Sequence, residues 1–170
     1  PTFSWPYERA VPLMAGGEGA LLRAVEGAED DADAARGALK SLNLNADDVV
    51  IAIAASGRTP FAIGALEQAR EAGALAVGIF NNPNSRLGDV AGIPILIDTG
   101  AELLAGSTRM KAGTAQKVVL NCISTAVMVK LGFVYRGLMV EMQATNSKLR
   151  QRAALMVAGL PGPDVEAGQK

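Results

Sequence analysis

The 170-residue chain contains no histidine. That absence removes Ser-His and Cys-His nucleophile pairs, and histidine metal sites, from its own chemistry. Acid–base work must then fall to carboxylates, Lys, Tyr or Cys. One cysteine, Cys122, excludes internal disulfides and fits a reducing compartment, so a cytoplasmic location is expected. The formal net charge is only -1, which gives no concentrated basic surface, so no nucleic acid is expected as a partner. The longest clearly apolar run, 49–55, is far too short to span a bilayer. The first 16 residues lack the basic start and long apolar stretch of a signal peptide, so no membrane is expected either. Met is also missing from the start, "PTFSWPYERA", and the sequence is therefore expected to be a trimmed piece.

What is present is ordinary globular material, 49% hydrophobic and 19% charged. The length suits one domain, placed at 1–158, with a loose tail rich in Gly, Pro and charge at 159–170. Four short apolar runs predict strands at 11–15, 48–54, 74–80 and 93–97. "VVIAIAA" and "LAVGIF" are continuous rather than alternating, as expected of parallel strands covered on both faces. Helical segments separate them: "EGALLRAV", "DADAARGALKSLNL" and "FAIGALEQAREAG", the last stopping at Gly73. Strand and helix alternate, which predicts an α/β fold with a parallel sheet between helical layers. Further on, a strongly apolar helix is predicted at 114–131, stopped by Gly132, and a second at 135–158. Helices of that length beside a small sheet could cover a sheet face or form a subunit interface.

Three stretches could carry chemistry. In "AASGRTP", 54–60, Thr59 is a good N-cap and Pro60 falls at the first helical position. Ser56 and Gly57 then lie in a tight strand-to-helix turn. There backbone N–H groups, a hydroxyl and the helix dipole can converge on an anion. A plain well-capped turn would use the same residues. In "GSTRMKAGTAQK", 106–117, Gly106, Ser107 and Thr108 can turn and cap a helix, which puts Arg109 and Lys111 at its positive end. That placement costs up to about 1 kcal/mol per exposed charge unless an anion reverses its sign. The anion could be a ligand phosphate or carboxylate, or a carboxylate of the chain such as Glu102; both side chains could also simply reach water. In "AVEGAEDDAD", 24–33, five carboxylates look mostly like the acidic first turn of the next helix, the role expected of Asp30 and Asp31. Glu26 and Glu29 flank Gly27-Ala28 between two helices, and one of them facing the strand ends could be a general base. No calcium-loop spacing is present and no metal is expected.

In this order the three stretches resemble the N-acetylmuramic acid 6-phosphate etherases, of the sugar-isomerase (SIS) phosphosugar-binding fold group. "GAELLAGSTRMKAGTAQK", 100–117, resembles the signature those enzymes share with the animal glucokinase regulatory protein. "AVEGAEDD", "VVIAIAASGRTPFAIGALEQAR" and "VYRGLMVEMQATNSKL" are similar to further characteristic stretches, and the match runs from 1 to about 152. The resemblance implies a three-layer α/β/α sandwich with a site at a homodimer interface. It implies cofactor-free cleavage of the lactyl ether of a sugar 6-phosphate, a step in recycling cell-wall sugar. The products would be N-acetylglucosamine 6-phosphate and D-lactate, formed by elimination and then hydration. Glu29, the last Glu of "VEGAE", becomes the catalytic residue. Ser56, Gly57, Arg58, Thr59, Ser107, Thr108, Arg109 and Lys111 become the substrate-binding set, with the phosphate nearest Ser56, Gly57 and Thr59.

The sequence departs from the family pattern in several places. "PTF" stands at the end of a family stretch whose Glu, the other acid–base residue, would precede Pro1. The family's first strand with its own Gly-Thr-Ser-Gly-Arg turn, and its C-terminal helical region, are likewise outside the sequence. "NNPNS", 81–85, stands where Cys-Asn-Pro is commoner. This 170-residue piece by itself is therefore expected to release no lactate. The alternatives are a phosphosugar-sensing protein without catalysis, like the glucokinase regulator, and an aldose–ketose isomerase of the same fold.

Overall fold

The structure is a computed structural model that describes Phe3 and residues 5–159; the remainder of the expected tail, 160–170, lies outside the described residues. Contacts divide the chain into two compact units, Pro12–Asn121 and Pro1–Val11 together with Cys122–Lys170.

The first unit is built on three parallel strands in the order β1-β2-β3: β1 (Val49–Ile53), β2 (Leu75–Phe80) and β3 (Ile93–Leu96). The register pairs Val50 with Ala76 and Ala52 with Gly78, then Ile79 with Ile95. β2 is central and buried on both faces from Ala76 to Phe80, which is why "LAVGIF" reads as one apolar run. β1 differs from expectation. Its burial alternates, and its second face shows Val49, Ile51 and Ile53 at 56%, 37% and 40% exposure.

On the other face lie α1 (Ala32–Ser41), α2 (Pro60–Glu71) and the short α3 (Arg86–Val90). Ala52, Ala54, Ala62, Leu66, Ala69, Phe80 and Leu87 form one core cluster, and Ala35, Leu39 and Ala65 join α1 to α2 in another. Fully burying Leu66, Ile79 and Leu87 contributes roughly 1.5–3 kcal/mol each. Helix ends follow local chemistry. Asp31 Oδ1 accepts from the Ala34 N–H at 2.8 Å to cap α1, and Ser85 Oγ accepts from Gly88 N–H at 3.1 Å to cap α3. α2 stops at Gly73 as expected, with Ala74 N–H donating to the Ala69 carbonyl at 2.9 Å. Arg36 ties the two helices together by pairing with Asp33 at 2.7 Å and with Glu67.

Three expected elements are corrected. Residues 11–15 form no strand, since Pro12 has no N–H to give a ladder. "EGALLRAV" supplies only a single 3-10 turn, Glu18–Leu21, because so short a segment cannot hold a helix without burial, and Leu21 and Leu22 are 69% and 90% exposed. The helix expected at 135–158 is instead a hairpin followed by a helix: β4 (Val134–Tyr135), β5 (Leu138–Met139) and α5 (Ser147–Gly159). Arg136 and Gly137 both have positive φ, 50° and 80°, as a two-residue type I′ turn demands. Asn146 Oδ1 then caps α5 by accepting from Leu149 N–H at 2.9 Å. The helix expected at 114–131 is present as α4 (Lys111–Lys130), starting three residues earlier and stopped at Gly132. Among the described residues no helix is long and apolar enough to cross a membrane.

The α1–α2 contact makes a paired prediction. A Cβ on Gly64 would sit 2.6 Å from the Ala32 carbonyl oxygen, whereas one on Gly37 meets nothing within 4 Å. Gly64→Ala is expected to destabilise by about 1–3 kcal/mol. Gly37→Ala, on an exposed face of α1, is expected to stabilise by about 0.5–1 kcal/mol. Urea unfolding of the two variants checks both signs; a neutral Gly64→Ala would mean the helices are not in close contact there.

Candidate functional site

The carboxyl ends of the three strands lie together, and the turns that follow them shape the site. After β1 the chain enters the turn 54–60. Gly57 N–H donates to the Ala54 carbonyl at 2.9 Å and Arg58 N–H to Ser56 Oγ at 3.2 Å. The Gly57 carbonyl accepts from Ser85 Oγ at 3.2 Å and from Leu87 N–H at 2.9 Å. Gly57 has φ 65°, and a Cβ there would stand 1.9 Å from Ser85 Oγ, so both backbone and space require glycine. The turn after β2 is thus a template for the turn after β1, and Ser85 was given no site role from the sequence.

Glu29 lies in a 3-10 turn, Ala28–Asp30, entered through Gly27 at φ 73°. It lines a cavity of about 700 Å³ together with Ser56, Thr59, Gly106, Thr108 and Gln116, with apolar walls from Leu13, Met14, Val25 and Ile53. A second cavity of about 550 Å³ shares Ala55, Ser56, Gly106 and Thr108 with it and adds Asn81, Asp98, Thr99 and Glu102. Four residues of the expected set, Glu29, Ser56, Thr59 and Thr108, are therefore brought to one cavity. Gly57 is buried beneath it, while Arg58, Ser107, Arg109 and Lys111 are not among the residues that line it. Another cavity, of about 600 Å³, belongs to the second unit and is lined by Gly137, Leu138, Met139, Arg152, Leu155 and Met156; it holds none of the expected residues.

The basic start of α4 has its anion within the chain. Glu102 Oε1 accepts from the N–H groups of Lys111 and Ala112, both at 3.0 Å, and Glu102 Oε2 accepts from Lys111 N–H at 3.1 Å. One carboxylate thus satisfies two of the helix's orphan donors and meets its positive end. Lys111 Nζ donates to the Thr99 carbonyl at 3.2 Å, and Arg109 is exposed. Gly106, Ser107 and Thr108 turn the chain but do not begin the helix; Thr108 contributes its carbonyl to Gly113 N–H at 2.9 Å. Glu102, the internal carboxylate weighed for Arg109 and Lys111, is bonded to the backbone N–H groups of the helix end rather than to those two side chains.

α2 is different. Its N-cap, Thr59, makes no side-chain capping bond, and Pro60 occupies the first turn. α1, α3 and α4 have Asp31, Ser85 and Glu102 at their starts. The helix start that lacks a side-chain acceptor is the one opening on the cavity with Glu29, through Ser56 and Thr59.

The hydrogen bonds from Ala112 and Lys111, more than the Lys111 charge, hold the Glu102 carboxyl below its ordinary value of 4.5. A depressed carboxylate stabilises the fold above its unfolded pKa, and that contribution is lost as pH falls through the lower folded value. Glu102→Gln is therefore expected to lower the melting temperature at pH 7. The deficit should shrink below about pH 4.5 and disappear once Glu102 would be protonated in the folded parent too. Melting curves of parent and variant across this range check it; an equal deficit at both ends would show that the charge is irrelevant.

The chain's likenesses agree with this geometry. A family model described as the glucokinase regulatory protein N-terminal SIS domain matches residues 6–70. The N-acetylmuramic acid 6-phosphate etherase of Deinococcus radiodurans is 54% identical over 169 residues, covering 99% of this chain and 55% of that protein. The etherase of Pectobacterium atrosepticum is 52% identical over 170 residues, 100% of this chain and 56% of its own length. That of an Exiguobacterium species is 51% identical over 166 residues, 98% and 56%. The chain spans about half the length of the curated relatives it matches. With a parallel sheet flanked by helices and this identity along nearly all of its residues, the chain is similar to the N-acetylmuramic acid 6-phosphate etherases and carries a SIS-type α/β fold.

Proposed function

We propose that the whole protein cleaves the lactyl ether of N-acetylmuramic acid 6-phosphate, a carbon–oxygen lyase reaction giving N-acetylglucosamine 6-phosphate and D-lactate. The observation that carries this reading is the convergence of Glu29, Ser56, Thr59 and Thr108 on one cavity at the strand ends. The phosphate is assigned to the start of α2, where Ser56, Thr59 and free first-turn N–H groups would receive an anion. Glu29 is the titratable side chain among the cavity's lining residues. As a carboxylate it would take the proton at C2, made acidic by the C1 aldehyde of the open-chain sugar. The C2–H electron pair forms the C2=C3 bond as the C3–O bond breaks, and lactate leaves with the C–O electrons and takes a proton from water. Water then adds across C2=C3, returning a hydroxyl to C3 and a proton to C2. No cofactor or metal takes part in this scheme, which sits in the cytoplasm as a recycling step for cell-wall sugar.

A homodimer belongs to the same reading. α4 carries Val118 and Val129 on one face at 51% and 50% exposure, an apolar display suited to a subunit interface. Sedimentation of the whole protein is expected to give a dimer, and a monomer at micromolar concentration would contradict it. A second reading, phosphosugar binding without catalysis, draws on the match of residues 6–70 to the glucokinase regulatory protein's SIS domain.

The whole protein and its Glu29→Gln variant are to be given N-acetylmuramic acid 6-phosphate and assayed for D-lactate. The variant is expected to lose about 10²–10⁴-fold in rate, while N-acetylglucosamine 6-phosphate still raises its melting temperature. Parental rates from the variant would remove Glu29 from the chemistry. No lactate from the parent, with the thermal shift retained, would favour the binding protein.

A further inference from the structure

Asn81 ties three strand ends to α4. Its backbone N–H donates to the Ala55 carbonyl at 3.0 Å, just after β1. Its side-chain Nδ2 donates to the Ile97 carbonyl at 2.8 Å, just after β3, and its Oδ1 accepts from Gln116 Nε2 at 2.8 Å. The polarity of this relay follows from its first member. A main-chain carbonyl can only accept, so Asn81 must turn its NH₂ toward Ile97. That leaves Asn81 Oδ1 facing Gln116, and an amide oxygen also only accepts, so Gln116 must present its NH₂. Turning either amide over would set oxygen against oxygen or NH₂ against NH₂. Gln116 lines the cavity that contains Glu29, Ser56 and Thr59. With one Nε2 hydrogen committed to Asn81, the side chain keeps Oε1 as an acceptor beside the second Nε2 hydrogen.

We infer that Gln116 is a specificity-determining residue of this cavity, its Oε1 accepting a hydrogen bond from a hydroxyl or acetamido N–H of the bound sugar, and that Asn81 is the positioning residue that sets this polarity. The inference rests on the sugar-phosphate reading of the site. Its physical content is a preference for a donor: a ligand group that can only accept could meet the second Nε2 hydrogen but would leave Oε1 unpaired, at the cost of desolvation. Neither residue is marked by a charge or by helical periodicity.

The test uses the whole protein, Gln116→Met and Asn81→Ser, with N-acetylglucosamine 6-phosphate as the probe in titration calorimetry and melting temperature as the structural readout. Gln116→Met keeps length and volume but has no oxygen acceptor. It is expected to bind roughly three- to tenfold more weakly, the worth of one neutral hydrogen bond, with a melting temperature close to the parent's. Asn81→Ser is expected to weaken binding in the same direction, by freeing the Gln116 amide to turn. If the parent binds and both variants bind equally well, the relay is only a brace between α4 and the sheet, and the inference is overturned. If the parent binds no sugar phosphate, the underlying reading of the site falls and takes the inference with it.

Discussion

A single carboxylate organises the far side of the site. Glu102 closes the start of α4 by accepting from Lys111 and Ala112, nine and ten residues further along the chain. The loop between must then fold back on itself, and that loop carries Gly106 and Thr108 into the cavity wall. The bonds also explain how the chain tolerates Lys111 at a positive helix end. The macrodipole is met by a buttressed anion, and Lys111 Nζ finds the Thr99 carbonyl instead of opposing the dipole alone. Glu102 fills that terminus, and the proposed function therefore assigns a substrate phosphate to another helix start. α2, whose Thr59 gives no side-chain cap, is the natural place.

The near side depends on close backbone approach. The turn at Ser56 and Gly57 is held by Ser85 and Leu87 from the turn after β2, and only glycine leaves room for the Ser85 hydroxyl. Ser85 also caps α3, so one buried hydroxyl serves two elements. Both arrangements spend polar groups at the carboxyl ends of parallel strands, where an α/β sheet leaves a crevice. The core below is made of small residues, with Ala52, Ala54, Ala62, Ala69 and Ala76 in one cluster. Such a core lets α2 lie close to the sheet and so fixes the height of its first turn.

Much of this was legible from residues alone. The continuous apolar runs marked the parallel strands, and Thr59-Pro60 marked the start of α2. The stretches around Glu29, Ser56 and Arg109 pointed to the family, and identities of 51–54% along the chain agree. Other parts were not legible, for physical reasons. The run at 11–15 had strand composition, but Pro12 removes a ladder donor. The stretch at 135–158 had helix-like spacing, but Arg136-Gly137 adopts a turn that spacing does not reveal. Ser85, Asn81 and Gln116 act over 28 to 35 positions of sequence, through uncharged groups common in any turn or helix. Glu102 was weighed as a partner for the basic side chains; its bonds to the backbone N–H groups became visible only with the fold.

The central claim is that phosphosugar is held between the turn after β1 and the loop before α4. Amide hydrogen exchange of the whole protein, with and without N-acetylglucosamine 6-phosphate, tests it most directly. The account predicts slower exchange on binding in 54–62 and 104–112, with smaller changes around Glu29. Protection confined to the hairpin and α5, 134–156, or no change in 54–62 at saturating ligand, would contradict it.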